Sequence, residues 1–299
     1  MLCDIFRRLS HFYKLTKYTY AGFGAIAFND FIMFHKALGI KNMISFEADN
    51  GILKRLEANR PYNTIAIVNK KSTEALPELA WKNPHIIWLD YDDPLIPYMF
   101  SDAGIVANHA ISGTALAITF QCNKAPEACN RSDDNNHNPL LSFASKFGAN
   151  RVPEGIDEMD LSGWDYGKLG ARMLKTEIES ILASRNVRLS ENEKITFTKI
   201  CSFEYQDGAK MHTLVGMFVK EEDKSKFDEC DFGSLDFLEK SSMPRIIIPK
   251  LTLKEIDSLE RQLPLKAGER IKYGHIPQGD ASRFIEFYRY LPNFSVLEN

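Results

Sequence analysis

The alternation of short β-type runs with helix-like segments, from residue 18 to about residue 123, constrains this chain most. Such alternation is typical of βαβ units, in which successive strands lie parallel and helices cover the sheet. The five candidate strands are YTYAG (18–22), NMISFE (42–47), NTIAIVN (63–69), HIIWLDYD (85–92) and ALAITFQ (115–121). We therefore predict an α/β fold with three layers and a mostly parallel sheet.

Segments outside these strands carry helix and turn signals. FNDFIMFHKALG has apolar residues at helical spacing and ends on Gly39, a suitable C-cap, and a long helix is predicted over residues 166–187. The polar stretch 123–139 is predicted to be a long exposed loop. Asp207-Gly208, between two further β-type runs, predicts a late antiparallel hairpin.

The chain changes character from about residue 224 onward. An extended apolar run, RIIIP, precedes a helix that Thr252 is predicted to cap, with Glu255 three residues later. We predict a main domain over residues 1–223 and a C-terminal elaboration or arm over residues 224–299.

Composition argues against several classes of protein. The formal net charge is -3 and there is no Lys/Arg block, so there is no strong nucleic-acid signal. No apolar run approaches the ~20 residues of a membrane span, and the charged residues within MLCDIFRRLSHFYKL argue against a signal peptide. The five cysteines form no CxxC pair or zinc-like pattern, so we expect reduced thiols in a cytoplasmic protein.

Two glycines flank a phenylalanine in YTYAGFGAIAFND, residues 18–30. A strand, a Gly-x-Gly turn and a helix in succession let the backbone approach a nucleotide-like ligand. Without Cβ atoms, Gly22 and Gly24 can adopt positive φ and leave space for that ligand. The third glycine of the dinucleotide fingerprint is absent, so a tight corner in a packed fold is the alternative.

An acidic residue ends the second candidate strand. Glu47 follows Gly24 by 23 residues, where a carboxylate commonly accepts hydrogen bonds from ribose hydroxyls. Asp49 is a second candidate for the same contact. The alternative for Glu47 is a solvated surface charge.

Acidic residues also follow the fourth strand. In IIWLDYDDP, Asp90, Tyr91 and Asp92 are predicted to emerge at the carboxyl edge, where open α/β sheets bind ligands. Asp90 and Asp92 are two residues apart, so they point the same way along an extended strand. Two such carboxylates can supply a general base, a metal site or a clamp for a substrate amine. The alternative is a turn in which Asp93 and Pro94 begin the next helix.

Together these features resemble the class I S-adenosylmethionine-dependent methyltransferases. The shared order is a Gly-rich first turn, acidic ends of the second and fourth strands and a late hairpin, over roughly residues 15 to 223. GFGAIAFNDFIMFHKALGIKNMISFEAD and WLDYDDPL are similar to bacterial proteins of an O-methyltransferase type. The resemblance implies a Rossmann-like methyltransferase fold with S-adenosylmethionine as its small-molecule cofactor.

The resemblance also implies roles for single residues. Gly22 and Gly24 would face the methionine part of the cofactor. Glu47 would face the ribose, and Asp90 the side of methyl transfer. The positive sulfonium favours acidic or π-rich walls, which Asp90, Asp92 and Tyr91 can supply. The implied cofactor-binding residues are Gly22, Phe23, Gly24, Glu47, Asp90 and Tyr91.

The sequence departs from better-defined branches of that family. Branches that methylate amino groups of nucleic acids carry an Asp/Asn-Pro-Pro-aromatic motif, whereas this chain has DYDDP. Metal-dependent branches carry an Asp after the fourth strand and an Asp-Asn pair after the fifth. Asp90 and Asn123 fit two of these positions, but Cys122 replaces the second carboxylate. Divalent cations need several oxygen ligands, so we predict no metal site.

Histidines and tyrosines near the motifs are further candidates. His109 stands just before the fifth strand, is predicted to lie near the active edge, and is the best histidine candidate for a base. His35, Tyr18 and Tyr20 are predicted to pack in the fold. The predicted catalytic residues are Asp90, Asp92 and His109.

We expect a methyltransferase that acts on an oxygen or nitrogen nucleophile of an unidentified acceptor, which Asp90 would orient or deprotonate. The alternative is a non-catalytic sensor or scaffold subunit that binds S-adenosylmethionine or a nucleotide. A protein partner or a homo-oligomer is compatible with either hypothesis, and no membrane association is expected.

Overall fold

The computed structural model describes residues 1–129, 138–239, 241, 243–266 and 268–291. The strands are β1 (Thr19–Phe23), β2 (Asn42–Phe46), β3 (Ile65–Val68), β4 (His85–Pro94), β5 (Ala115–Gln121), β6 (Ile195–Asp207), β7 (Ala209–Lys220) and β8 (Arg245–Ile247). The helices are α1 (Leu2–Arg8), α2 (Asn29–Leu38), α3 (Leu53–Asn59), α4 (Ser72–Ala75), α5 (Pro97–His109), α6 (Pro126–Cys129), α7 (Pro139–Phe147), α8 (Gly163–Asn186), α9 (Lys224–Glu229), α10 (Asp236–Glu239), α11 (Leu253–Glu260) and α12 (Gln278–Phe287). Short 3-10 turns join several of these elements.

Within the described residues, one sheet holds eight strands in the order β3-β2-β1-β4-β5-β7-β6-β8. The pairs from β3 through β5 are parallel, whereas β5 and β7 are antiparallel. The predicted α/β fold with a mostly parallel sheet and a late hairpin is therefore confirmed. The chain runs outward from β1 through β2 to β3 and then returns to the other side of β1, so the strand order reverses between β1 and β4.

Helices pack on both faces of this sheet. On one face, the rings of Phe6 in α1 and Phe34 in α2 meet edge to face at 5.4 Å, and Phe34 lies 6.3 Å from Trp88 of β4. On the other face, α5 and α8 contribute to a core cluster that includes Ile87 and Phe120. Because successive side chains of a strand point to opposite faces, β4 serves both layers of the core. The predicted three-layer arrangement is confirmed.

Several local predictions are also confirmed. Gly39 is the left-handed C-cap of α2, with a φ of 69°. Gly208, with a φ of 77°, lies between β6 and β7. The Thr252 side chain accepts a hydrogen bond from the Glu255 amide at 3.3 Å and so caps α11.

The segment before α8 departs in part from its prediction. The loop predicted over residues 123–139 contains the short helix α6, Pro126–Cys129, and its residues 130–137 lie outside the described residues. The long helix predicted over residues 166–187 is present as Gly163–Asn186.

The chain forms two compact units. The first comprises Met1–Glu204 with Lys210–Pro244, and the second comprises Tyr205–Ala209 with the chain from Arg245. The core of the second unit holds Leu259, Ile276, Ala281 and Phe284. The first unit extends to Pro244, and the predicted division into a main domain over residues 1–223 and a C-terminal elaboration over residues 224–299 stays a prediction.

Two further observations concern membrane-spanning helices and the cysteines. In the described part of the chain, no helix combines the length and the apolar character that a membrane crossing requires. The five cysteines are free thiols, of which four are buried.

Candidate cofactor-binding and active site

The carboxyl ends of β1, β2 and β4 meet at one edge of the sheet, beside the point where the strand order reverses. Open α/β sheets bind ligands in the crevice at such a switch point. Gly24 follows β1, Glu47 follows β2, and Asp90 and Asp92 lie in the last part of β4. The sheet therefore brings these four predicted residues to the same edge.

The two glycines serve the packing of the sheet. Gly22 lies inside β1 rather than in a turn, and neither Gly22 nor Gly24 has a positive φ; the left-handed residue here is Phe28, at 50°. A Cβ on Gly22 would lie 2.7 Å from the carbonyl oxygen of Trp88, and one on Gly24 would lie 2.0 Å from Ser45 Oγ. The expectation of positive φ is therefore wrong, because neighbouring strands approach closely instead.

The hydroxyl of Ser45 is buried beside Gly24. The Ser45 side chain is fully buried in β2, and its Oγ has no hydrogen-bond partner among the described residues. Buried hydroxyls are rarely left without a partner. A polar atom is thus held beside Gly24 with its hydrogen-bonding capacity unused.

Glu47 organises the loop after β2. Its amide donates to the carbonyl of Val68 at 3.0 Å. Its Oε1 accepts from the Asp49 amide at 2.6 Å, and Asp49 Oδ1 accepts from the Gly51 amide at 2.7 Å. Glu47 Oε2 makes no hydrogen bond within the described residues, so one carboxylate oxygen remains available to a ligand.

Asp90 and Asp92 share one face of β4, because Leu89 and Tyr91 are buried while the two carboxylates are exposed. The Asp90 side chain is exposed, yet the protein around it removes part of its solvation. Removal of solvation raises the pKa of Asp90 to about 6. A hydrogen bond from Thr119 opposes this shift.

A hydrogen-bond network holds the Asp90 carboxylate. Trp88 Nε1 donates to Thr119 Oγ1 at 3.0 Å, and Thr119 Oγ1 lies 2.9 Å from Thr213 Oγ1. An ionised carboxylate only accepts, so Thr119 donates its single hydrogen to Asp90 and Thr213 donates to Thr119. Sequence reasoning missed both threonines, because Thr119 of β5 reaches Asp90, and Thr213 of β7 reaches Thr119, only through the pairing of distant strands.

A third carboxylate, Asp30 in the first turn of α2, adds charge on this face. Tyr20 donates a hydrogen bond to Asp30 Oδ2, and its buried ring packs on Phe31 and Phe34, which confirms the packing predicted for Tyr20. Burial raises the pKa of Asp30, and the Tyr20 hydrogen bond opposes that shift. The charge of Asp30 also helps to raise the pKa of Asp90.

Tyr91 points to the opposite face of β4 from its two acidic neighbours. It is buried, its hydroxyl donates to Asp102 Oδ2 of α5 at 2.6 Å, and its ring lies 5.0 Å from that of Phe23. Alternation along the strand thus separates Tyr91 from the wall predicted for Asp90, Asp92 and Tyr91 together. Phe23, at the end of β1, packs on Tyr91 and so lies on this opposite face as well.

We expect Tyr91→Phe to lower the free energy of unfolding by about 1–3 kcal/mol, the cost of leaving a buried polar group without its partner. Asp102 is fully buried and would keep only the hydrogen bond from Ser72 Oγ at 2.5 Å. Urea denaturation measures the change. Tyr98→Phe is the matched control, because Tyr98 is 41% exposed. Equal stability of the Tyr91 and Tyr98 variants would contradict this prediction.

His109 lies at the other edge of the sheet. It is the last residue of α5, which returns from the carboxyl edge of β4 to the amino edge of β5. Its ring stacks on Trp81 at 5.8 Å, and Trp81 also packs at 4.7 Å on His85, the first residue of β4. The predicted placement of His109 near the active edge is wrong, because a residue directly before a parallel strand sits at that strand's amino end.

Metal ligands are not assembled in the described residues, where no group of three or more His, Cys, Asp or Glu side chains is arranged to hold an ion. Asn123, one of the two positions that matched metal-dependent enzymes, is engaged elsewhere: its Oδ1 accepts from the Lys210 amide at 2.8 Å.

The relationship of the chain to known proteins follows from its sequence as a whole. The family described as "Putative O-methyltransferase" matches residues 1–299. The chain belongs to this methyltransferase family. S-Adenosylmethionine is accordingly its cofactor, and the implied Rossmann-like methyltransferase fold agrees with the observed strand order. A search of curated proteins finds no match to the sequence of this methyltransferase.

Solved structures resemble this chain only distantly. Trm1 from Pyrococcus horikoshii, in complex with S-adenosyl-L-methionine, is 12% identical with a TM-score of 0.46, over 75% of this chain and 56% of that one. The Methanococcus jannaschii fibrillarin pre-rRNA processing protein is 10% identical with a TM-score of 0.40, over 70% of each chain. The O-methyltransferase TomG from Streptomyces achromogenes is 15% identical with a TM-score of 0.37, over 72% and 79%. This chain thus spans little more than half the length of Trm1, and at these values none of the three carries an argument about its activity.

The residues at the switch point suit this cofactor. Asp30, Asp90 and Asp92 put negative charge on one side of the edge, which complements a positive sulfonium. Glu47 Oε2 can accept a hydrogen bond from a ribose hydroxyl. Ser45 Oγ offers a buried polar atom without a partner beside Gly24. The chemistry of these groups therefore fits S-adenosylmethionine.

Proposed function

We propose that the methyltransferase methylates a hydroxyl oxygen of its acceptor and that Asp90 orients this hydroxyl and takes its proton. The observation that carries the proposal is the Asp90 carboxylate itself. It is accessible at the switch point, held by Thr119, and has a pKa of about 6. The description of the family supports oxygen over nitrogen as the nucleophile.

The proposed mechanism relies on positioning. When bound, S-adenosylmethionine supplies an electrophilic methyl group on a positive sulfonium. Asp90 accepts the hydrogen bond of the acceptor hydroxyl and aligns its oxygen for in-line attack, and such alignment supplies most of the acceleration. As the oxygen forms its bond to carbon, its proton passes to Asp90, whose pKa of about 6 is close to the working pH that favours a general base. Glu47 and Gly24 would bind the cofactor, and Asp92 would complement its positive charge.

A non-catalytic protein that binds S-adenosylmethionine is the second candidate. The observation that favours it is that the chain lacks the motifs of the better-defined branches: DYDDP follows the fourth strand, and Cys122 stands in place of a second carboxylate. In that case binding would have a regulatory or scaffolding purpose, and no acceptor would be methylated.

One experiment separates the two candidates. Calorimetry first measures binding of S-adenosylmethionine to the full chain. The protein is then incubated with cofactor carrying a 13C-methyl group and with fractionated metabolite extracts, and formation of S-adenosylhomocysteine is followed. The 13C shift of the product separates methyl on oxygen from methyl on nitrogen. Binding with no turnover in any fraction would support the sensor, and an N-methyl product would overturn the assignment to oxygen.

We expect Glu47→Ala to weaken binding of S-adenosylmethionine by on the order of 1.5–3 kcal/mol, the scale of a hydrogen bond to a charged group. This corresponds to about 10- to 150-fold in Kd, measured by calorimetry. Asp49→Ala is the matched control, because it also removes a carboxylate that holds an amide of this loop. Because Asp49 is also the second candidate for the ribose contact, a loss in Asp49→Ala alone would transfer the role to Asp49, and an equal loss in both variants would contradict a contact specific to Glu47.

A further inference from the structure

A cavity of about 190 Å³ lies between α8 and the strands β6 and β7. His212 of β7 is in register with Phe120, and Thr213 with Thr119. Adjacent residues of a strand face opposite sides, so His212 points away from the face that carries Thr119 and Asp90. The cavity is therefore separate from the proposed active site. Its lining consists of Lys168, Ala171, Arg172, Lys175, Lys199, Ser202, His212, Leu214 and Met243.

Four of these lining residues are cations, and none is a carboxylate. Lys168 is paired with Asp165 at 2.8 Å, and Lys175 with Glu179 at 2.5 Å. Arg172 and Lys199 form no ion pair within the described part of the chain. The cavity thus carries a local excess of positive charge in a chain whose net charge is -3.

Two buried polar side chains line the same cavity without partners. Ser202 and His212 are each 1% exposed, and Ser202 Oγ and both ring nitrogens of His212 have no hydrogen-bond partner among the described residues. Gly167 lets α8 approach this imidazole closely, since a Cβ there would lie 2.8 Å from Nδ1. Buried polar groups are nearly always hydrogen-bonded, so these three atoms have hydrogen-bonding capacity that a bound ligand can use.

A neutral imidazole can donate one hydrogen bond to such a ligand. Burial, and then the charges of Lys199 and Lys168, lower the pKa of His212 to about 3. The ring is therefore neutral near pH 7 and keeps one N–H donor, while Ser202 offers an O–H donor. Two donors beneath exposed cations, with no competing carboxylate in the lining, make a site complementary to an oxyanion.

We propose that the cavity between α8 and the β6–β7 pair binds a phosphate group, held by Arg172 and Lys199 and by the donors of Ser202 and His212. The volume of about 190 Å³ admits a small anion, and it is below the roughly 300–1,000 Å³ of pockets that enclose whole drug-sized ligands. Inorganic phosphate and the phosphate of a monoester share this chemistry. The proposal does not depend on the function of the switch-point edge.

Calorimetry of the full chain with inorganic phosphate, at constant ionic strength, tests the proposal. We expect one binding site, and about 10-fold weaker binding in Lys199→Gln and in Arg172→Gln, the low end for a charge-assisted hydrogen bond because both side chains are exposed. Lys17→Gln and Arg188→Gln are matched controls, since both residues are exposed and unpaired within the described residues. No binding of phosphate, or an equal loss in the controls, overturns the proposal.

A measurement on the wild-type chain avoids reliance on the variants. Phosphate should shift the NMR signals of the His212 ring and leave those of His85 unchanged; His85 is also buried and has an unpartnered Nδ1, but lies outside this cavity. Equal shifts of both rings, or none, would count against the site. Glycerol 3-phosphate distinguishes the sources. Tighter binding than inorganic phosphate assigns the site to a phosphorylated molecule, and equal or weaker binding assigns it to the free anion.

Discussion

In Asp90→Asn, single-turnover methyl transfer should fall by roughly 10²–10⁴, the range for loss of a positioned acid or base, while affinity for S-adenosylmethionine stays within a few-fold. The amide keeps the size of the side chain but cannot take the proton of the acceptor. Rapid-quench kinetics with an acceptor fraction that supports turnover measures the rate, and calorimetry measures affinity. A sensor would show no transfer in either form.

The pH dependence of this reaction provides an independent test. Because the pKa of Asp90 is raised to about 6, the basic carboxylate is present above that pH and is lost as the pH falls through it. The wild-type rate should therefore decrease below about pH 6, and Asp90→Asn should lack this step. Asp92→Asn is the matched control on the same face. Loss of activity in Asp92→Asn alone would assign the role of general base to Asp92. Full activity in both variants would show that neither carboxylate of β4 is the general base.

Gly24→Val should abolish binding of S-adenosylmethionine. The prediction from the sequence is that the new side chain occupies the space of the cofactor. The structure adds a second cause, since a Cβ at this position would lie 2.0 Å from Ser45 Oγ. Overpacking of this kind costs typically about 1–3 kcal/mol of stability. Calorimetry and thermal unfolding of the same sample measure the two effects.

A compensating variant separates these causes. Ser45→Gly removes both the Oγ and the Cβ that would meet a side chain at position 24. We expect Gly24→Ala with Ser45→Gly to regain the unfolding midpoint of Ser45→Gly alone and still to bind the cofactor weakly. Recovery of normal affinity in the double variant would show that the glycine is a packed corner and that no ligand requires it.

The sequence alone could predict the elements that are determined by residues close together in the chain. The apolar run before Asp90 predicted β4, and the two-residue period of a strand predicted the shared face of Asp90 and Asp92. Asp-Gly predicted the hairpin at Gly208. The packing of Gly24 could not be predicted in this way, because its partner Ser45 belongs to another strand. Register between strands decides such contacts, and a single sequence does not reveal it.

The same distinction between local pattern and strand pairing applies to the residues of the site. Thr119 stands 29 residues after Asp90 and meets it only because β4 and β5 pair in parallel at that register. The error over His109 was avoidable, since strand polarity alone puts a residue that precedes a parallel strand at the amino edge. Asp30 carried a usable signal, its place in the first turn after the glycine segment.

The direction of the hydrogen bonds around Thr119 has a consequence for the choice of acceptor. The Thr119 hydroxyl accepts hydrogen bonds from Trp88 and Thr213 and donates its own hydrogen to Asp90. The ionised Asp90 carboxylate therefore offers only hydrogen-bond acceptors to a bound molecule. A molecule that forms a hydrogen bond with Asp90 must therefore supply the donor. If Asp90 is the working group, alcohols and phenols satisfy that demand, whereas an ionised carboxylic acid meets repulsion, and ethers rather than methyl esters are the products to seek first.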